Sequence, residues 1–448
     1  MSTPEELLAK ANQPSAEAMR LHPFYRGKVQ TALKVPVRDL GDFAIWYTPG
    51  VAAPCKAIAA DPELVYEHTN KGNTVAVVSD GTRVLGLGDI GPKAGLPVME
   101  GKALLFKYLG GVDAVPIMLR TKSAEDIIRT VRLIQPGFGG INLEDIAQPK
   151  CFEVLDTLRA DPEMEIPVFH DDQQGTATVI LAGLLNACKL TNRSLTEARF
   201  AMIGMGAANV ATVRLLLASG VSPQQIVACD SRGILHRERA DVAAEQHEFA
   251  IKWFLCEHSN PDDLRGGIAE AMRGADICIA LAKPGPGTIR PEWVSAMAPQ
   301  SILMACSNPT PEIWPWEAKG AGARIVATGR SDFANQVNNS LGFPGIFRGA
   351  LDVRARTITD GMCLAAAEEL ARCGEEQGLD DEHLLPDMQS AEIYPREAVA
   401  VAMRAQEEGV ARLTATREAL YATAEGMIRE AREQVALMMR EGAIKPVP

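Results

Sequence analysis

The chain has 448 residues, 47% of them hydrophobic and 23% charged, which suits a soluble globular protein of two or three domains. Its formal net charge of −12 leaves no basic excess to neutralise phosphates, so nucleic acid is excluded as the main partner, while a small anionic substrate held by local cations is not. The nine cysteines include no C-x-x-C pair, the N-terminal segment lacks an apolar core and no run is long enough to span a bilayer. These features lead us to expect a cytoplasmic chain with no membrane association.

Residues 1–40 read as helix and then extended chain, punctuated by Pro23 and Pro36. The β-branched run 73–79 reads as a buried strand ending at the turn Asp80-Gly81, and a second apolar run follows at 84–87. A helix is predicted over 99–108 and a strand over 113–119. Ser123-Ala-Glu-Asp carries helix-start chemistry for 124–134. Gly140–Asp145, a helix near 150–160 and a strand at 166–169 follow, then a long helix near 175–190. The pattern then repeats, with a strand from 199, a helix over 207–219 and strands at 225–230, 276–280, 301–305 and 324–328. Alternation of this kind means an α/β fold, and the second series reads as a doubly wound parallel sheet. Beyond about 355 the chain is helical, ending in an amphipathic helix over 414–440.

Gly204-Met-Gly206-Ala207-Ala208-Asn209 lies between a predicted strand and a predicted helix. Small residues there let the backbone approach a pyrophosphate, and the helix N-terminus offers free N–H groups. Asn209 stands where the usual pattern has a third glycine, so an ordinary tight turn stays open. Asp230 ends the next strand, where a carboxylate would accept ribose hydroxyls and favour NAD. Arg232, Arg237 and Arg239 follow it; they either receive the extra phosphate of NADP or are solvated surface charges.

Glu144-Asp145 and Asp171-Asp172 are two carboxylate pairs at the ends of neighbouring α/β segments. Like charges so close repel unless a cation joins them, and all-oxygen ligands select Mg²⁺ or Mn²⁺. The competing reading makes each pair a helix cap. Lys102 is placed at a predicted helix start, where the dipole and a nearby metal would lower its pKa and make it a base. Tyr47 sits in a turn expected to hold its hydroxyl rigidly. Asn308, Asn338 and Asn339 lie in polar loops that suit either loop capping or contact with a carboxylate and an amide-bearing cofactor.

Several long segments together resemble the malic enzymes in their shorter prokaryotic form: 47–52, 80–91, Pro97–Lys102, Asn142–Asp145, Phe169–Thr176, 328–332 and Phe343–Asp352. The resemblance implies an N-terminal α/β catalytic domain over 1–175, a Rossmann-type NAD(P)-binding domain over 176–375 and a helical extension over 376–448. It implies oxidative decarboxylation of (S)-malate to pyruvate, with NAD or NADP and Mg²⁺ or Mn²⁺, in a homodimer or larger homo-oligomer. A malolactic enzyme, releasing lactate, is the alternative it leaves open. By the resemblance Lys102 is the general base, Tyr47 the acid, and Glu144, Asp145 and Asp172 the metal ligands, with Asp171 in support. Arg83, Asn308 and Asn338 face the substrate. Gly204, Gly206, Ala207, Ala208, Asn209, Asp230, Arg232 and both asparagines face the cofactor. Gln174, Ala334 and Lys283 depart from the family pattern.

Overall fold

The computed structural model describes residues 4–330 and 332–448. Ten strands form two sheets. The first carries β1 (Thr74–Ser79), β2 (Asp113–Met118), β3 (Gly140–Leu143) and β4 (Val168–His170) in the order β2-β1-β3-β4, all parallel. The second carries β5 (Phe200–Ile203), β6 (Ile226–Asp230), β7 (Gly233–Ile234), β8 (Ile277–Ala280), β9 (Ile302–Ala305) and β10 (Ile325–Thr328) in the order β10-β9-β8-β5-β6-β7. Only the edge pairing β6–β7 is antiparallel. Strands such as Ile277–Ala280 are apolar throughout because helices cover both faces of a parallel sheet.

The order of the second sheet contains a topological switch. The chain leaves β5 for β6 and β7, then crosses back to add β8 on the other side of β5. Loops after β5 and β8 therefore diverge and leave a crevice at the carboxyl ends of the strands. Gly204 and Leu281–Ala282 line that crevice. The first sheet sends β1, β3 and β4 toward its own carboxyl edge, where Asp80, Glu144, Asp145, Asp171 and Asp172 follow the strands.

Local chemistry explains most boundaries. Ser123 Oγ accepts the N–H of Asp126 and caps the helix Ala124–Ile134; Thr416 does the same for Arg417–Arg440. One boundary differs from expectation. The helix expected over 99–108 runs from Gly91 to Gly110 and takes Pro97 into its interior. Lys102 therefore sits in its fourth turn, away from the helix start.

The two halves share one core. Phe106 packs against Phe343 and Phe347, with ring centroids 4.6 and 5.1 Å apart, and Phe347 meets Phe169 at 5.5 Å. The helix Phe343–Asp352 thereby lies against the helix Gly91–Gly110 and strand β4. Removing one of these buried rings costs about 3–5 kcal/mol and would loosen the site above them.

Glu397 is wholly buried, beside Gly342 and Gly345 at the start of the helix Phe343–Asp352. Neither carboxyl oxygen has a hydrogen-bond partner among the described residues. Burial, with a smaller contribution from Glu369, holds its pKa well above the usual carboxylate range. The folded state thus keeps a proton that the unfolded chain releases near its ordinary pKa. The associated stability is complete below that ordinary value and is lost as pH rises toward the folded value. Glu397→Gln should therefore lose less melting temperature than wild type between about pH 6 and 9. Parallel losses measured by circular dichroism would show that Glu397 does not titrate in this way.

Candidate active site

The carboxylate pairs meet at the carboxyl ends of β3 and β4. One oxygen from each of Glu144, Asp145 and Asp172 lies within 4.8 Å of the others. Hydrogen bonds fix the arrangement. Asp172 Oδ2 accepts the N–H of Asp145 at 2.8 Å, and Asp145 Oδ1 accepts the N–H of Leu85 at 3.2 Å. Asn142 Nδ2 donates to Glu144 Oε2 at 3.0 Å. Asp145 has φ of 55°, a left-handed conformation that costs a non-glycine residue energy and recurs at functional sites. The Arg83 N–H donates to its carbonyl at 2.9 Å, so the loop after β1 is tied to the loop after β3.

Neither pair is a helix cap. Asp171 and Asp172 enter a π-helical turn, Asp171–Gly175, that precedes the helix Thr176–Leu190 with no side-chain cap. Burial first, then mutual repulsion, pushes the Asp145 pKa up to about 8, and burial raises Glu144 and Asp172 as well. Asp145 Oδ2 has no hydrogen-bond partner among the described residues. Two buried carboxylates and the half-buried Asp172, with an open oxygen on Asp145, are poorly balanced alone and well matched to a hard divalent cation.

Lys102 approaches the cluster from the helix Gly91–Gly110. Its Nζ is hydrogen-bonded to Asp171 Oδ2, lies 3.1 Å from Glu144 Oε1, and sits 4.5 Å from the centroid of the Phe343 ring. Burial alone would lower the lysine pKa, but the charges of Asp171 and Glu144 outweigh it and raise it. The expected lowering by the helix dipole is therefore corrected: Lys102 lies away from the helix start, and Asp171 and Glu144 favour its ammonium. Asp171 also accepts from Asn339 Nδ2 at 2.6 Å, and burial lifts its pKa to about 6 against the opposing pull of Lys102. Asp171 thus supports Lys102 and stands apart from the three-carboxylate cluster.

The other candidates fall into distinct places. Arg83 is exposed, and its charge reaches Asp172. Asn308 is half-buried after β9, close to Gly329. Asn338 is also half-buried; its Oδ1 caps a short turn through the Ser340 N–H and its Nδ2 donates to Gly329 O at 3.0 Å. Tyr47, expected in a rigid loop, instead ends the helix Leu40–Trp46 and is 71% exposed. Among the described residues it makes no hydrogen bond to the carboxylates or to Lys102.

In the second sheet, Gly204 has φ of 86°, and a Cβ there would stand 2.5 Å from Leu281 O, so only glycine fits this turn. Gly206, Ala207 and Ala208 open the helix Ala207–Ala218 with no side-chain cap, leaving its first N–H groups free for a phosphate. Asn209 is corrected: it is fully buried, and its Nδ2 donates to Ile203 O, Gly204 O and Ile279 O, so it braces the turn from behind. Arg239 is corrected too. It is neither free nor a surface charge, since it grips Asp230. Gln174 is structural, accepting the His170 N–H and donating to Ile358 O.

Sequence reasoning missed Asn142, His170 and Phe343 as parts of the site, and it offered Asn339 only as a loop cap or a ligand contact, whereas its amide holds Asp171. His170 is fully buried 3.8 Å from Asp172, with neither ring nitrogen hydrogen-bonded among the described residues, and burial drives its pKa down to about 3. It stands in the acidic cluster as a neutral ring. Only its position at the end of β4, next to Asp171, hinted at this.

Two family models match the chain: the malic enzyme N-terminal domain over residues 26–159 and the malic enzyme NAD binding domain over 173–408. The chain belongs to the malic enzyme family. It is 47% identical over 398 residues to the bifunctional malic/malolactic enzyme of Bacillus subtilis, covering 89% of this chain and 94% of that one. It is 48% identical to the NAD-dependent malic enzyme of Geobacillus stearothermophilus, covering 86% and 78%. The crystal structure of Entamoeba histolytica malic enzyme superposes with a TM-score of 0.96 at 47% identity, covering 100% of this chain and 93% of that one. Among the described residues no helix is long and apolar enough to cross a membrane.

A cation between the carboxylates should stabilise the fold. Adding Mn²⁺ to metal-free protein is expected to raise its melting temperature. Asp172→Asn keeps the acceptor for the Asp145 N–H while removing one repelling charge. It should raise the metal-free melting temperature by a few degrees and abolish the Mn²⁺ shift. An Mn²⁺ shift retained in this variant would remove Asp172 from the ligand set.

Proposed function

We propose that the chain oxidises and decarboxylates (S)-malate to pyruvate and CO₂, reducing NAD⁺ or NADP⁺. The observation that carries this reading is the buried pairing of Lys102 with Asp171 and Glu144 beside the three-carboxylate cluster. Glu144, Asp145 and Asp172 would hold Mg²⁺ or Mn²⁺, and Gly204, Gly206, Ala207 and Ala208 the dinucleotide pyrophosphate. Bound, the metal supplies a Lewis acid for the oxygen on C2 and the nicotinamide supplies the hydride acceptor.

The chain's own groups do the rest. Lys102 takes the proton from the C2 hydroxyl as its neutral amine, a form that a cation on the carboxylates would favour by repelling the ammonium proton into solvent. Two carboxylates hold its ammonium in the metal-free arrangement; with Glu144 committed to a cation, Asp171 alone remains as its counter-charge, and Asn339 keeps Asp171 in place. Arg83 offers an exposed guanidinium for a substrate carboxylate, and Asn308 and Asn338 border the same space. Tyr47 supplies the proton that C3 needs after CO₂ leaves.

Tyr47 ends a helix whose Leu40, Phe43, Ile45 and Trp46 are each at least 46% exposed. A surface of that kind on a short helix supports a homodimer or larger homo-oligomer. Light scattering should give at least twice the chain mass of 48.1 kDa, and Ile45→Asp should shift it toward the single chain. A wild-type mass of one chain would overturn the assembly.

With malate, Mn²⁺ and NAD⁺, one pyruvate should form for each NADH. Lys102→Ala should lower turnover at least about 100-fold with cofactor affinity within about threefold of wild type. Lactate without net NADH would favour the malolactic alternative, and wild-type turnover in the variant would remove Lys102 as the base.

A further inference from the structure

Asp230 ends β6 inside a closed network of four charges. Arg239 donates from Nη2 to Asp230 Oδ2 at 3.0 Å and from Nη1 to Oδ1 at 3.1 Å. The same guanidinium holds Asp241 through Nε at 2.7 Å and Nη2 at 2.8 Å. Arg232 gives its backbone N–H to Asp230 Oδ1 at 2.9 Å and its Nη1 to Asp241 Oδ2 at 3.0 Å. Arg239 is buried, whereas the Arg232 side chain is 68% exposed and Asp241 is its one ion-pair partner among the described residues. Lys252, on the helix Ala250–His258, adds its charge to the field around Asp230. Arg232 and Arg239 are therefore spent on carboxylates of their own chain, whereas Arg237 is exposed and stands outside this network among the described residues.

This arrangement is selective. Asp230 Oδ2 has a single partner and keeps acceptor capacity for a ribose hydroxyl. A 2′-phosphate carries about two negative charges and needs cations not already neutralised. Asp241 and Asp230 together balance both arginines, Asp241 alone engages the Arg232 side chain, and the hydrogen bonds from Arg239 hold the Asp241 carboxyl well below the usual range, so its charge persists at any working pH.

We propose that Asp241 is a specificity-determining residue: by locking Arg232 and Arg239, it makes the adenosine site accept an unphosphorylated ribose in preference to a 2′-phosphate. The proposal rests on the reading of Asp230 as the ribose acceptor. Removing the charge at 241 releases Arg232, whose exposed side chain can then reach a 2′-phosphate.

Equilibrium titration of the full-length protein with NADH and NADPH, followed by nucleotide fluorescence, tests this without turnover. Wild type should bind NADH at least tenfold more tightly than NADPH. Asp241→Asn should move the ratio of the two dissociation constants at least tenfold toward NADPH. Adding Arg232→Ala to that variant should return the ratio to within threefold of wild type. A wild-type preference for NADPH would overturn the proposal. So would an unmoved ratio in Asp241→Asn, or equal weakening of both nucleotides, which marks a merely structural role. Asp230→Ala separates the two layers: NADH binding weakened there, with the ratio unmoved in Asp241→Asn, overturns the gate alone. NADH and NADPH binding unchanged in Asp230→Ala overturns the ribose reading, and the gate with it.

Discussion

The site is organised around buried charge of one sign. Glu144, Asp145, Asp171 and Asp172 converge at the carboxyl edge of a four-stranded sheet, and one buried lysine answers them. Carboxylates in so dry a place must be protonated, paired or bound to metal. Much of the local structure follows from meeting that requirement. The left-handed backbone at Asp145 lets its N–H face Asp172, the amides of Asn142 and Asn339 each satisfy one acid, and the helix Gly91–Gly110 runs long enough to bring Lys102 inside.

The second sheet answers a different electrostatic demand. Its switch point offers backbone N–H groups and a turn that admits only glycine at 204, which suits a pyrophosphate crossing the crevice. The aromatic contacts among Phe106, Phe169, Phe343 and Phe347 join the sheets from below. Gly86 lets the loop after β1 approach the loop after β9, where a Cβ would collide with Asn308 O. Nucleotide crevice and acidic cluster are thus set by one continuous core, as transfer between two bound molecules requires.

Much of this was legible in the sequence, because the signals were local. The helix Ala124–Ile134 starts at its expected Ser123 cap, and five strands of the second sheet fall within a residue or two of their apolar runs, whereas the two-residue β7 had no run to mark it. The start of the helix at Gly91 was hidden by Gly-Pro-Lys-Ala-Gly-Leu-Pro, whose composition reads as loop and whose helicity is imposed by packing. The same error misplaced Lys102 relative to the helix dipole. Metal-ligand candidates could be named because the acids come in pairs. The pairing of Asn339 with Asp171, 168 residues away, could not be read, since nothing local links them. Asn209 looked like a spoiled third glycine and proved a brace for the turn. Arg239 looked like a surface charge because its partner Asp230 lies nine residues back, across a hairpin.

The central claim is that the buried acids exist to hold one divalent cation beside Lys102. Anomalous diffraction from crystals grown with Mn²⁺ tests it most directly. The account predicts one strong peak coordinated by Glu144, Asp145 and Asp172, with Lys102 still on Asp171. At saturating Mn²⁺, an empty cluster, or a peak bound elsewhere with Lys102 unchanged between Asp171 and Glu144, would contradict it.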